Sequence, residues 1–163
     1  MRNLILLLAI IMIPLTVSAA HHRELTPRAL EEKVKNGTCT KFIYIFTSWC
    51  PVCDKSFREF MKLQNQYGKP GMVEFITISL DEEAEDLDDF VIKFKPHFPV
   101  YRLIFSNGKE ALDALERAGI TYSGKVPHAT FRDCEGKIFA EGSFQYSYYN
   151  TMLQSWRNNK HPE

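Results

Sequence analysis

Lys41-Phe42-Ile43-Tyr44-Ile45-Phe46-Thr47-Ser48-Trp49-Cys50-Pro51-Val52-Cys53 decides the fold of this chain. Its first half, 41–46, alternates aromatic and β-branched residues, the composition of a buried strand. Apolar positions at helical spacing follow, through Phe57, Phe60, Met61 and Tyr67, until Gly68-Lys69-Pro70-Gly71 stops the helix. Two cysteines separated by two residues therefore sit where a strand hands over to a helix. Cys50 falls at or just before the first helical turn, where unpaired backbone N–H groups and the helix dipole favour thiolate over thiol. Pro51 has no N–H to lose there and brings Cys53 round beneath Cys50. The spacing casts Cys50 as a nucleophile and Cys53 as the thiol that resolves a mixed disulfide formed on it.

Upstream, Thr26-Pro27 reads as the cap and first position of a short helix over 28–35 that ends at Asn36-Gly37. Downstream, 72–80 is a second buried strand, and the acidic run 81–89 opens a helix through Leu87, Phe90, Val91 and Phe94 that Pro96 ends. Acidic residues complement a helix N-terminus, so this run reads as a solvated helix start and not as a binding surface. A strand over 100–105, a turn at Asn107-Gly108 and a helix over 109–118 ended at Gly119 come next. A hairpin of 129–132 and 137–141 and a closing helix over 147–158 complete the chain. Strands alternating with helices, then a hairpin and a helix, imply an α/β fold: a mixed central sheet with helices on both faces.

The N-terminal stretch 1–20 reads as a secretory signal: Arg2, an apolar stretch from Leu4 to Ile13, and the small-residue region Val17-Ser18-Ala19-Ala20. Cleavage after Ala19 or Ala20 is expected to release one domain, 21–163. The alternative, an uncleaved anchor, is disfavoured because Pro14 interrupts an apolar core shorter than the roughly 20 residues a span needs. All four cysteines, Cys39, Cys50, Cys53 and Cys134, lie in the exported part, where disulfides persist. Twenty basic and twenty acidic residues give a formal net charge of zero, with no basic cluster to hold nucleic acid or an anionic membrane.

Four features carry a family resemblance: Phe46-Thr47-Ser48-Trp49-Cys50-Pro51-Val52-Cys53 straight after a strand; Lys125-Val126-Pro127-His128-Ala129-Thr130-Phe131; the strand, acidic helix, short strand and helix over 72–118; and the closing hairpin and helix. In that order they resemble the thioredoxin superfamily, and within it exported thiol:disulfide oxidoreductases of the TlpA, ResA and DsbE type. The resemblance implies a thioredoxin fold with the TlpA-like insertion over 72–118. It also implies catalysis by Cys50 and Cys53 and a cis bond at Val126-Pro127. Trp49, Val126, Pro127 and His128 would then line the substrate groove, with an extended substrate segment pairing beside Cys50. Thioredoxin's buried acid is replaced here by Tyr44, so the proton acceptor for Cys53 must come from elsewhere. The exported relatives place an acid after the second strand, where Asp81 and Glu82 stand; Glu82 is the expected acceptor, with an exposed cap residue as the competing reading. Pro51-Val52 matches neither reducing nor strongly oxidising relatives and lacks a histidine, which favours a reductase or specialised exchange factor over a general oxidant.

In that fold the strands bearing Cys50 and Pro127 are antiparallel neighbours. Walking back and forward at about 3.3 Å per residue brings Cys39 and Cys134 level at the opposite end, so a structural disulfide between them is set against two separate thiols. His21, His22 and His161 are expected to be solvated, and His97 to be a loop residue. The expected partners are exported proteins containing cysteine, with a membrane thiol:disulfide partner to reset the pair. The setting is the bacterial periplasm, and the protein is expected to act as a monomer without a cofactor. A disulfide oxidase or isomerase of the same fold is one alternative. A copper or zinc carrier using Cys50, Cys53 and His128 is another, disfavoured by the close cysteine spacing.

Overall fold

The computed structural model describes residues 21–133 and 135–160; the signal region expected at 1–20, His161 and Cys134 lie outside the described residues. Its elements are β1 (Arg23–Leu25), α1 (Pro27–Lys35), β2 (Lys41–Phe46), α2 (Cys53–Tyr67), β3 (Glu74–Ser79), α3 (Ala84–Phe94), β4 (Val100–Leu103), α4 (Gly108–Arg117), β5 (His128–Arg132), β6 (Ile138–Ser143) and α5 (Tyr146–Lys160). They form a six-stranded sheet in the order β1-β4-β3-β2-β5-β6. The first four strands of that order run parallel, and β5 and β6 pair antiparallel. This is the mixed α/β sheet that the sequence reading expects.

β2 lies at the centre and every one of its residues is buried, as a strand covered on both faces must be. Successive side chains point to opposite faces. Phe42, Tyr44 and Phe46 enter an aromatic layer with Phe57, Phe60, Leu63 and Tyr67 of α2, Phe90 of α3 and Tyr149 of α5. Ile43 and Ile45 join Ile76 and Ile78 of β3 in an aliphatic layer under Leu30 and Val34 of α1 and Ala114 and Leu115 of α4. Both cysteines of the motif belong to the aromatic layer.

Local chemistry fixes several ends. The Thr26 hydroxyl accepts from Ala29 N at 3.2 Å and Pro27 occupies the first turn of α1, a good N-terminal arrangement. α4 closes with Gly119 at φ +76°, Gly119 N–H on Glu116 O and Ile120 N–H on Leu115 O. That paired closure needs the left-handed backbone glycine adopts without cost, and it turns the chain toward Val126-Pro127.

Three expectations change. β1 was not foreseen; it pairs with β4, Arg23 opposite Tyr101 and Leu25 opposite Leu103. His22, just before it, is buried with its Nδ1 2.7 Å from Asp88 Oδ1, so it is not solvated. Asn107 is the N-cap of α4, its side chain accepting from Glu110 N, and Gly108 is the first helical residue.

Candidate active site

Between the end of β2 and the start of α2 the chain makes tight turns: Cys50 N–H bonds Thr47 O at 3.4 Å and Cys53 N–H bonds Cys50 O at 2.9 Å. Cys50 thus stands in the turn immediately before α2, and Cys53 is the first residue of that helix. Both are free thiols. Cys50 keeps 6% exposure, whereas Cys53 is wholly buried. Burial, the largest influence, pushes the Cys53 thiol well above its ordinary range; its hydrogen bond with Cys50 and the charges of Cys50 and Asp81 add to this, and the Thr47 backbone opposes it. A sulfur so placed is held as the neutral thiol at physiological pH. Of the two, only Cys50 keeps any exposure to solvent.

The Val126-Pro127 peptide is cis, and Cys50 Sγ lies 3.8 Å from Val126 O. Pro127 O accepts from Phe144 N at 2.9 Å, which ties this bend to the residue following β6. Trp49 is 68% exposed and Val52 61% exposed, so two large apolar side chains flank a nearly buried sulfur. An open groove beside Trp49 is lined by Ser48, Asp54, Asp86, Asp89, Phe90 and Lys93, with Lys93 paired to Asp54 across α2 and α3. Cys50 and Val126 are thus brought together, with Trp49 beside Cys50 in the chain.

Glu82, the expected proton acceptor, is not part of this arrangement. Its side chain is exposed, and its backbone carbonyl accepts from Arg102 Nη1 at 2.7 Å. The carboxylate at the site is Asp81, 1% exposed. It accepts from Ser48 N at 2.9 and 3.0 Å, from Ser48 Oγ at 2.7 Å and from the Ser79 hydroxyl. The physical reason is that β3 ends at Ser79 and the chain turns outward beyond it, so the second residue past the strand end, Asp81, points in and the third, Glu82, points to solvent. Ser79 offered a signal in the sequence: strand alternation puts it on the same face as Thr77 and hence as Tyr44, which is Thr77's partner across the sheet.

His128 directly follows the cis bond. It is buried on the other face from Ala129 and Phe131, which point into the aromatic layer. Its Nε2 is 3.4 Å from Thr130 Oγ1, which itself donates to Glu141 Oε1 at 2.9 Å, and Tyr122 meets its ring edge-on at 5.5 Å. Burial lowers the His128 pKa, partly offset by the charge of Glu141. Tyr122, which the sequence reading passed over, lies close enough to Cys50 and Cys53 for their charges to raise its pKa, an effect second to burial. His97 is a loop residue packed against Phe98. Cys39 is disulfide-bonded, and its expected partner Cys134 is outside the described residues.

No curated protein sequence matches the chain. Solved structures do. StoA from Bacillus subtilis is 17% identical with a TM-score of 0.56, covering 73% of this chain and 85% of that one. The thioredoxin domain of a thiol-disulfide oxidoreductase from Bacteroides vulgatus is 22% identical with a TM-score of 0.58, covering 76% and 82%. A secreted Mycobacterium tuberculosis disulfide oxidoreductase homologous to E. coli DsbE is 13% identical with a TM-score of 0.52, covering 72% and 81%. These likenesses establish the fold. The family model for thioredoxin-like proteins matches residues 40–128. That segment runs from the residue before β2 to the residue after Pro127, taking in both cysteines and Asp81, and the chain belongs to the thioredoxin-like family.

Proposed function

We propose that the protein is an exported thiol:disulfide oxidoreductase that acts as a reductase on cysteine-containing partner proteins. The observation that carries this reading is the division of labour in one cysteine pair: a free sulfur with solvent access 3.8 Å from Val126 O, and behind it a wholly buried thiol kept protonated. The Cys50 thiolate attacks one sulfur of a partner's disulfide, and the other sulfur leaves as a thiolate that takes up a proton. Cys53 then loses its proton and attacks Cys50 Sγ, releasing the second partner thiol. Two electrons pass to the partner and the protein is left as the Cys50–Cys53 disulfide. A membrane thiol donor of the same chemistry resets it, and no diffusible cofactor enters the cycle.

Asp81 is the residue we assign to accept the Cys53 proton, because its charge already acts on that thiol. An extended partner segment docks against Trp49, Val126 and Pro127. The expected setting is the periplasm after removal of 1–20; among the described residues no helix is long and apolar enough to cross a membrane. We assign Cys134 as the partner of Cys39. Each cysteine lies two residues beyond its member of the pair Lys41 opposite Arg132 in the sequence, which supports a structural bridge between them.

The test is the reduction potential of the Cys50–Cys53 pair in glutathione and dithiothreitol buffers. A value near about −270 mV, that of thioredoxin, is expected; one near about −120 mV would reverse the direction and make the protein a disulfide donor.

A further inference from the structure

A buried polar chain inside the aromatic layer leads to the backbone of Cys53. Tyr44, at the centre of β2, is completely buried; its ring stacks on Phe60 at 4.5 Å and on Phe46 at 5.8 Å and meets Phe144 edge-on at 5.2 Å. Its hydroxyl is 2.7 Å from Ser56 Oγ, and Ser56 Oγ donates to Cys53 O at 3.1 Å. Ser56 has one hydroxyl proton, and it is committed to Cys53 O. Tyr44 must therefore be the donor to Ser56, and the chain has one direction: Tyr44 O–H to Ser56 Oγ–H to the carbonyl of Cys53. Burial pushes the Tyr44 pKa up, which keeps this phenol a donor throughout the pH range of thiol exchange.

The position of Ser56 is informative. It lies on the inward stripe of α2 with Cys53, Phe57, Phe60 and Leu63, where an apolar residue would pack without any partner to satisfy. A serine there bonds back to a carbonyl in the preceding turn, which gains a helix little by itself. What it gains here is control of one peptide. Cys53 N–H is held by Cys50 O and Cys53 O by Ser56, so both backbone ends of the second cysteine are restrained by groups outside the regular helical ladder. The far end of the restraint is a ring wedged among four others, those of Phe46, Phe57, Phe60 and Phe144, which does not drift.

We propose that Ser56, oriented by Tyr44, is a positioning residue for Cys53, holding the resolving sulfur in line with the bond that joins Cys50 to a partner. This rests on the thiol-exchange reading above. The first attack needs only Cys50 and does not feel the restraint. The second requires Cys53 Sγ to approach the Cys50–partner bond along its axis, a step in which small misplacements cost much rate.

Dithiobis-nitrobenzoate separates the two steps, because each releases one coloured thionitrobenzoate: the first as Cys50 is captured, the second as Cys53 resolves the mixed disulfide. Ser56→Ala is expected to slow the second phase by about tenfold and leave the first within about twofold. Tyr44→Phe, which keeps every ring contact, is expected to slow the second phase by about threefold, and the double variant to match Ser56→Ala, since the two act through one chain. Loss of the restraint also weakens ring closure at equilibrium, and a tenfold weakening there raises the reduction potential of Ser56→Ala by about 30 mV. A second phase at the wild-type rate in Ser56→Ala overturns the proposal, as does equal slowing of both phases. Should Ser56→Ala not fold, an unchanged second phase in Tyr44→Phe has the same force. A wild-type protein that releases a single equivalent overturns the thiol-exchange reading itself and is told apart from the other outcomes by that stoichiometry.

Discussion

Asp81 and Glu82 are adjacent acids with different fates, and the difference is a matter of which side of the sheet end each faces. Asp81 is buried among the hydroxyls of Ser48 and Ser79, and Glu82 is in solvent. Asp81→Asn is expected to slow resolution by Cys53 by at least about a hundredfold, the lower range of what a positioned proton acceptor contributes, and to shift its pH profile. Glu82→Gln is expected to leave both unchanged; single-turnover kinetics across pH 6 to 9 check the pair. His128 makes a second, separable prediction. Burial lowers its pKa in the folded protein from 6.5, so below that value the unfolded chain binds more protons than the native one. Stability is therefore complete above pH 6.5 and is lost as pH falls through the folded value. Thr130, Tyr122 and Glu141 are the groups facing the ring, and only Glu141 opposes the loss. Urea midpoints at pH 7.5 and 5.5 should differ more in the wild type than in His128→Leu. The identity of the cysteine pair was legible in the sequence because its spacing and place after a strand are local facts. That Asp81 is the acid at the site was not, since it depends on where a turn sends two neighbouring side chains.

Elements with strong local signals formed where the residues indicate. The bounds of β2 coincide with the apolar run 41–46, and α1 has the threonine cap and the proline that mark its start. Thr26→Ala should cost about 1 kcal/mol, as the loss of an N-cap hydroxyl does, read as a lower urea midpoint with no change in thiol-exchange rate. Elements that exist through pairing were harder to read. β1 is three residues, two of them exposed, and carries no periodicity; it is a strand because β4 offers it a parallel edge. β4 ends at Leu103, short of Phe105, and α3 begins at Ala84, after the acids at the start of the run have left the helix to bond the site loop and solvent. In each case a short segment has too few residues to express a preference, and the neighbouring strand or loop decides.

Across the whole molecule the sheet divides two chemistries. The aromatic face carries both cysteines and the Tyr44–Ser56 chain; the aliphatic face carries none of the redox groups. The Cys39 bridge sits at the other end of β2 from Cys50 and is expected to be independent of it. Replacing Cys39 and Cys134 together by serine should remove about 2–4 kcal/mol of stability, the usual contribution of a bridge closing a long loop, measured by denaturant unfolding, with the potential of the Cys50–Cys53 pair unchanged. The sequence by itself determined the alternation of strands and helices, the buried central strand and the placement of Cys50 before a helix, because hydrophobic period, capping residues and cysteine spacing act over a few neighbouring positions. Only the tertiary structure decided that Asp81 and not Glu82 meets the cysteine loop, that His128 faces away from the aromatic layer, that His22 is buried against Asp88, and that Tyr44 reaches the carbonyl of Cys53 through Ser56. Those contacts join residues from different elements, and their geometry follows from how the sheet twists and the helices pack across it, which no local stretch of sequence encodes.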